Sequence, residues 1–283
     1  MTAVPRILVT NDDGIDSVGL HVLARAMAPL GDVVVVAPDA EYSGASASLG
    51  PLHLLQPEVK RASVGGVVES WTVNGPPGLC VMFARLGVFG PVDLVVAGIN
   101  PGANVGRAIY HSGTVGAALT ARNGGTSGVA VSQAVAGYGV EGQGWDEMIA
   151  GQHWDTAASV GATVVASLLE TTPTDPYVVN VNVPNVPFEE IVGWRHAVVA
   201  QLPPRTVATG RLHPIEGRDG AFGVEMVWGD TVELPPESDS GAVERGVVAV
   251  SYLSRLQHEA RTDLATVDSR LDALLGPTPT LGP

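Results

Sequence analysis

Along the first half of the chain, short apolar runs alternate with longer stretches of helical spacing. Ile7–Thr10 is a β-branched run that predicts a strand. Val18, Leu20, Leu23, Ala24 and Met27 then recur at the spacing of one helix face over Val18–Ala28. Val33–Ala37 is a near-continuous valine strand ended by Pro38, and Pro76–Leu86 predicts a helix entered through proline. Leu94–Ala97 predicts a strand stopped by Gly98. Ser112–Arg122 predicts an alanine-rich helix with a serine cap, and Val129–Ser132 another strand. Thr156–Glu170 continues as helix and Tyr177–Val183 as strand.

These strands are apolar throughout and do not alternate. That pattern belongs to strands buried on both faces of a parallel sheet, so the expected class is α/β, a Rossmann-like mostly parallel sheet flanked by helices. From about Ile191 to Ser240, glycine, proline and short β-like pieces dominate, which predicts a smaller C-terminal β-rich region. Gly246–Leu253 predicts a further strand and Arg261–Leu275 an amphipathic helix. The tail GPTPTLGP cannot continue that helix and is read as a loose end. The expected division is a catalytic core over residues 1–190 and a β-rich and helical region over 191–283. Part of the latter serves oligomerisation, and 246–253 returns to the core. There is no internal repeat.

Composition narrows the class. The 283 residues are 45% hydrophobic and 16% charged, against about 25% charged in typical domains. Such a chain can bury a large core and calls for a partner subunit over its apolar surface; disorder is excluded as the main state. The net charge of −14 argues against binding duplex nucleic acid or an anionic membrane. A lone Cys80 excludes a disulfide scaffold and a multi-cysteine zinc site, and its apolar helix makes it a small core residue. Trp71 and Trp194 are likewise expected in the core. The opening MTAVPRILVTNDDG has no signal-peptide pattern, and the apolar runs fall far short of the ~20 residues of a membrane span. A cytoplasmic location is therefore expected.

The informative polar residues follow the strands. The first strand leads to Asn11-Asp12-Asp13-Gly14, the second to Ser43-Gly44-Ala45-Ser46, and the third to Gly98-Ile99-Asn100. In open α/β sheets ligands bind outside the carboxyl ends of the strands. Asp12, Asp13, Ser43 and Asn100 thus meet at one edge as oxygen donors suited to Mg2+, Mn2+ or Ca2+ and unsuited to zinc or copper. Asp-Gly is also a hairpin signature, but the segment after it is helical, and adjacent carboxylates repel unless a cation or proton lies between them. Ser112-Gly113-Thr114 opens a helix, whose free amides attract anions; an ordinary serine cap is the plain alternative. Gly98–Gly106 reads either as a loop close to a ligand or as a tight surface loop. His111 adjoins this anion-site candidate and otherwise reads as a loop histidine. The chain has no GxxxxGK[ST] loop, no GxGxxG after the first strand and no HExxH spacing.

VTNDDGIDSVG, APDAEYSGASASL, VAGINPGANVG and HSGTVGAA stand in the order and approximate spacing of the SurE family. Shorter matches follow at Val179–Pro184 and Ser238–Leu253. The chain resembles that family over most of residues 5–132 and these two patches. The resemblance implies a metal-dependent 5'/3'-nucleotidase of Rossmann-like fold, with a β-rich region used in oligomer formation. It implies one divalent cation per subunit, Mg2+ or Mn2+ with Ca2+ also compatible, held by Asp12, Asp13, Ser43 and Asn100. Ser112, Gly113 and Thr114 would lie at the phosphate, with Asn11, Gly44 and Asn104 around them. The chain departs from the family pattern at Tyr42, Leu79, Arg107, Ala108, His111 and Thr120.

The expected activity is hydrolysis of nucleoside monophosphates by metal-activated water, with Asp12 and Asp13 catalytic. Two alternatives stay open: a non-catalytic metal- or nucleotide-binding module, and a phosphatase for another phosphoester or short polyphosphate. The expected partners are a small phosphomonoester and further copies of the chain, as a homodimer or homotetramer.

Overall fold

The structure, a computed structural model, describes residues 4–50, 52, 56–136, 145–171, 173–201, 205–257, 263 and 265–276. It contains two compact units, residues 1–253 and 254–283. Among the described residues, the first unit is built on a nine-stranded sheet. In chain order its elements are β1 (Arg6–Thr10), α1 (Val18–Met27), β2 (Asp32–Pro38), β3 (Val59–Arg61), β4 (Glu69–Val73), α2 (Pro77–Arg85), β5 (Leu94–Pro101), α3 (Gly113–Asn123) and β6 (Ser127–Gln133). Then come α4 (Trp145–Ile149), α5 (Trp154–Glu170), β7 (Val178–Val183), β8 (Gly193–His196), β9 (Arg205–Pro214), β10 (Phe222–Thr231), α6 (Asp239–Glu244) and β11 (Val247–Tyr252). The second unit contains α7 (Ala265–Leu275). Of the helix expected over Arg261–Leu275, Arg261, Thr262 and Leu264 lie outside the described residues, as does the tail after Gly276.

The strand order is β3-β4-β2-β1-β5-β6-β7-β11-β8, and β9 and β10 form a separate antiparallel pair. The central strands run parallel, while β3 pairs antiparallel to β4 and β11 antiparallel to β7. Val33–Val36 and Ile7–Val9 are buried in every position, as two-faced strands require. One core layer joins Leu20, Leu23 and Met27 of α1 to Val9, Val35 and Val96, with α5 on the same side through Ala157 and Val165. The other packs Leu79, Cys80 and Ala84 of α2 and Ala117 of α3 against Leu8, Val34 and Val95. Each such aliphatic side chain stabilises the fold by roughly 1.5–3 kcal/mol on burial.

Three differences from the sequence reading have physical causes. Gly98 does not end the third strand: β5 bends and continues to Pro101, with its register against β6 shifting between Ala97 and Asn100. Gly98 allows this because its φ is 134° and a Cβ there would lie 2.2 Å from the Val131 carbonyl oxygen. The β-like pieces after Ile191 include two strands of ten residues, longer than expected. Trp194 is not core: it stands on the outermost strand, 65% exposed, against His196. Trp71 is half-buried under the Arg61 guanidinium and beside Phe89.

Candidate active site

The site lies where β1, at the middle of the sheet, gives out. Thr10 pairs with Ala97, so the segments after β1 and β5 leave from the same carboxyl edge. After Thr10 the chain turns without forming a hairpin. The Asn11 side-chain amide donates to the Gly14 carbonyl (3.0 Å) and to the Ser17 hydroxyl (2.7 Å), and that hydroxyl accepts from Leu20 N to cap α1. Asn11 therefore shapes the turn and starts the helix. Gly19 then lets α1 lie against β5: a Cβ there would stand 2.1 Å from the Ile99 carbonyl oxygen, one residue before Asn100.

Asp12 is the most heavily engaged group. It is buried, and its Oδ2 accepts from the Gly113 amide (3.1 Å) while its Oδ1 accepts from the Thr114 hydroxyl. The Thr114 amide adds to this. Ser112 caps α3 as expected, its hydroxyl accepting from Val115 N at 3.0 Å. The anion held at the tip of α3 is thus the chain's own Asp12 carboxylate. Gly113 is required there, because a Cβ would lie 2.7 Å from Asp12 Oδ2. Burial pushes the Asp12 carboxyl above its ordinary pKa, while these hydrogen bonds pull it back.

Asp13 differs. Its Oδ2 is buried and accepts no hydrogen bond. Burial first, then the charges of Asp12 and Glu41, push it from 3.8 up to about 8. A buried carboxylate oxygen beside a second acid carries a cost that a proton or a cation removes. That is the observation by which these residues fit a hard divalent ion. No group of three or more His, Cys, Asp and Glu side chains is arranged around a metal among the described residues. The acids brought together here are Asp12 and Asp13, with Glu41 close enough for its charge to act on Asp13.

The loop after β2 forms the facing wall. Tyr42 N donates to the Asp12 carbonyl (2.7 Å) and Ser46 N to the His111 carbonyl (3.2 Å). Gly116 brings α3 against this loop, since a Cβ there would meet the Ser46 carbonyl oxygen at 2.1 Å. Ser43 is exposed and donates to Glu41 (2.8 Å); Gly44 has a φ of 82°, which favours glycine. Asn100 is half-buried and donates to the Gly102 carbonyl (2.6 Å). Neither Ser43 nor Asn100 is hydrogen-bonded to an aspartate, although both stand on segments leaving this edge. Asn104 is hydrogen-bonded to Asn182 (2.7 Å, through its backbone amide), Ser132 (2.8 Å) and Asn180 (2.8 Å, at its carbonyl), and Ser132 pairs with Asn100 in the sheet. Sequence reasoning missed Glu41; its place two residues before Ser43 in the same block was the available signal.

A cavity of about 220 Å³ opens beyond Tyr42, lined by Ala45, Ser48, Leu49, Pro76 and Leu79 among others. Among the described residues, no charged side chain lines it.

Fold and site together define a Rossmann-type α/β protein with an acidic oxygen-donor cluster at the carboxyl edge of its sheet. The family model described as "Survival protein SurE" matches residues 7–205. The chain belongs to the SurE family. It is 35% identical over 251 residues to "5'-nucleotidase SurE" of Haemophilus influenzae (strain PittGG), covering 87% of this chain and 90% of that protein. It is 34% identical over 277 residues to "5'-nucleotidase SurE" of Marinomonas sp. (strain MWYL1), covering 92% and 96%. The crystal structure of the SurE protein from Aquifex aeolicus superposes with a TM-score of 0.71 at 28% identity, covering 95% of this chain and 99% of that one.

Proposed function

We propose that this chain is a metal-dependent phosphomonoesterase acting on nucleoside monophosphates. The observation that carries the reading is the unequal pair of acids: Asp12 locked on the tip of α3, and Asp13 beside it with a buried oxygen that no protein group satisfies. The names of the relatives, all 5'-nucleotidases, support the same activity. Asp12, Asp13, Ser43 and Asn100 would hold the cation. A divalent ion there supplies positive charge for the phosphoryl oxygens and acidifies a coordinated water.

The protein's own part divides between the acids. Asp12 is fixed by the Gly113 amide and the Thr114 hydroxyl and holds the geometry. Asp13 Oδ2, which accepts no hydrogen bond among the described residues, is the oxygen assigned to take the proton of the attacking water. The neutral cavity beyond Tyr42 would seat an uncharged substituent of the phosphate, and it favours nucleosides over short polyphosphates, which need cationic walls.

The test is phosphate release from a panel of 5'- and 3'-nucleoside monophosphates, sugar phosphates and short polyphosphates, with Mg2+, with Mn2+ and with chelator. Release confined to the metal-loaded protein and greatest for nucleotides is expected. Tight nucleotide binding by calorimetry without release would replace the enzyme by a binding module.

The reading extends to assembly. Phe222, Val224 and Met226 occupy alternate positions of β10 and are each more than half exposed, with Leu212 opposite Val224 on the paired strand. A two-stranded ribbon with an uncovered apolar face is marginal in water, so a second copy of the chain is proposed to cover it. Light scattering giving a monomer mass at micromolar concentration contradicts this. Residues 1–190 are assigned to catalysis and part of residues 191–283, the β9–β10 pair above all, to assembly, with 246–253 belonging to the core sheet. No helix among the described residues is long and apolar enough to cross a membrane; a cytoplasmic enzyme is proposed.

A further inference from the structure

The block Ser238–Leu253, singled out in the sequence, has no part in the chemistry described so far. Its second residue, Asp239, is fully buried. No ion pair to it is found among the described residues. Its carboxylate is satisfied instead by backbone amides of three segments: Gly106 donates to Oδ2 (2.9 Å), and Ala200 (2.9 Å) and Ser240 (2.8 Å) donate to Oδ1. The Asp239 amide donates in turn to the Val198 carbonyl (2.8 Å). A carboxylate in this setting is a rigid three-way tie, because each released amide would stand unpaired in the interior.

One of the tied segments runs directly to the site. Gly106 opens a single 3-10 turn over Gly106–Tyr110. The Ala108 carbonyl in that turn accepts from both His111 N and Ser112 N at 3.0 Å. Ser112 caps α3, and the next two residues hold Asp12. From Asp239 to Asp12 the chain is therefore tied at Gly106, at Ala108 and at Gly113, with only a few covalent links between the ties. Gly106 is fitted for its end of it: its φ is 52°, and a Cβ would meet the Ala200 carbonyl oxygen at 3.0 Å. The loop's earlier residue, Asn104, is pinned separately by Asn180, Asn182 and Ser132.

We propose that Asp239 is a positioning residue: by holding Gly106 it fixes the turn that presents the Gly113 amide and the Thr114 hydroxyl to Asp12. The proposal rests on the reading of Asp12 as part of the catalytic centre. It assigns Asp239 no contact with substrate.

The experiment uses Asp239→Asn in the full chain. Asparagine keeps the shape but brings an NH2 group to one oxygen's place; set toward Gly106 it loses that single tie, whereas the reverse orientation would lose both Ala200 and Ser240, so the Gly106 tie is the one given up. Two readouts are taken. In amide NMR of the metal-free protein, the Gly113 and Thr114 resonances are expected to shift and their exchange with solvent to speed up. In the phosphate-release assay, kcat is expected to fall about ten- to a hundredfold, the size of effect that a small misplacement of reacting groups produces, with KM little changed. Val248→Ala, which removes buried core methyls from the neighbouring β11, serves as a control for lost stability and is expected to leave both readouts alone. If Asp239→Asn does not fold, Gly106→Ala is read by the same criteria. Unshifted Gly113 and Thr114 amides, or a kcat equal to that of the unaltered chain, overturns the proposal. If the unaltered chain releases no phosphate from any nucleotide, the functional reading fails, and the NMR readout still decides the tie.

Discussion

Replacing Asp13 by asparagine is expected to stabilise the metal-free protein, by an amount that grows with pH. In the folded chain burial, then the charge of Asp12, then that of Glu41, push the Asp13 carboxyl from 3.8 up to about 8. A folded pKa above the unfolded one means that the folded state keeps a proton the unfolded chain has released. The stability tied to that proton is complete below about pH 4 and drains away as pH rises toward about 8. At 1.36 kcal/mol per unit, the loss between about pH 5 and about pH 8 is about 3–4 kcal/mol. Asparagine imitates the protonated side chain and does not titrate, so the variant escapes this loss. The assay is urea unfolding with chelator present, followed by tryptophan fluorescence, on both proteins across that range. The free-energy difference should widen with pH in favour of the variant, and Mn2+ should cancel the advantage by stabilising only the unaltered protein. A difference that is flat with pH, or that moves toward the unaltered protein as pH rises, refutes the burial argument for Asp13.

Three further outcomes are expected. Asp12→Asn should abolish phosphate release while circular dichroism shows the fold intact, because the new NH2 faces the amide donors at α3; near-normal release with Mg2+ or Mn2+ would contradict the assignment. Gly116→Ala should cost about 1–3 kcal/mol and lower activity, because the Ser46 backbone, 2.1 Å from the new Cβ, has no side chain that can yield; a melting curve and the release assay check this. Mg2+ or Mn2+ should raise the melting temperature of the unaltered chain and fail to do so for Asp13→Ala, whereas an equal rise in both would place the ion elsewhere.

The buried strands were readable because nothing else explains Val33–Val36 or Leu94–Ala97: a strand buried on both faces has no polar positions to alternate. What escaped reading lies where that logic lapses. The strand β4, ESWTV, is short and has no continuous apolar run, so that logic does not reach it. The continuation of β5 depends on a glycine that bends a strand as readily as it ends one. Helix α6 spans only six residues, too short for periodicity. At the site, the residue types were legible and their mutual engagement was not. Asp12 and Gly113 are 101 positions apart, and no spacing rule states that the tip of α3 would be filled from within the chain. The separate duties proposed for the two aspartates follow from that contact.

The close approaches at Gly19 and Gly116 have a consequence for altering what the protein accepts. At both positions main chain lies on main chain, so no choice of side chain can widen or retract the walls that carry α1 and α3. The backbone around the site is stiff at those two places. Variation in substrate among related sequences should therefore accumulate in the side chains that line the cavity, such as Tyr42, Leu49, Leu52 and Leu79, and selection experiments aimed at new specificity are best confined to them.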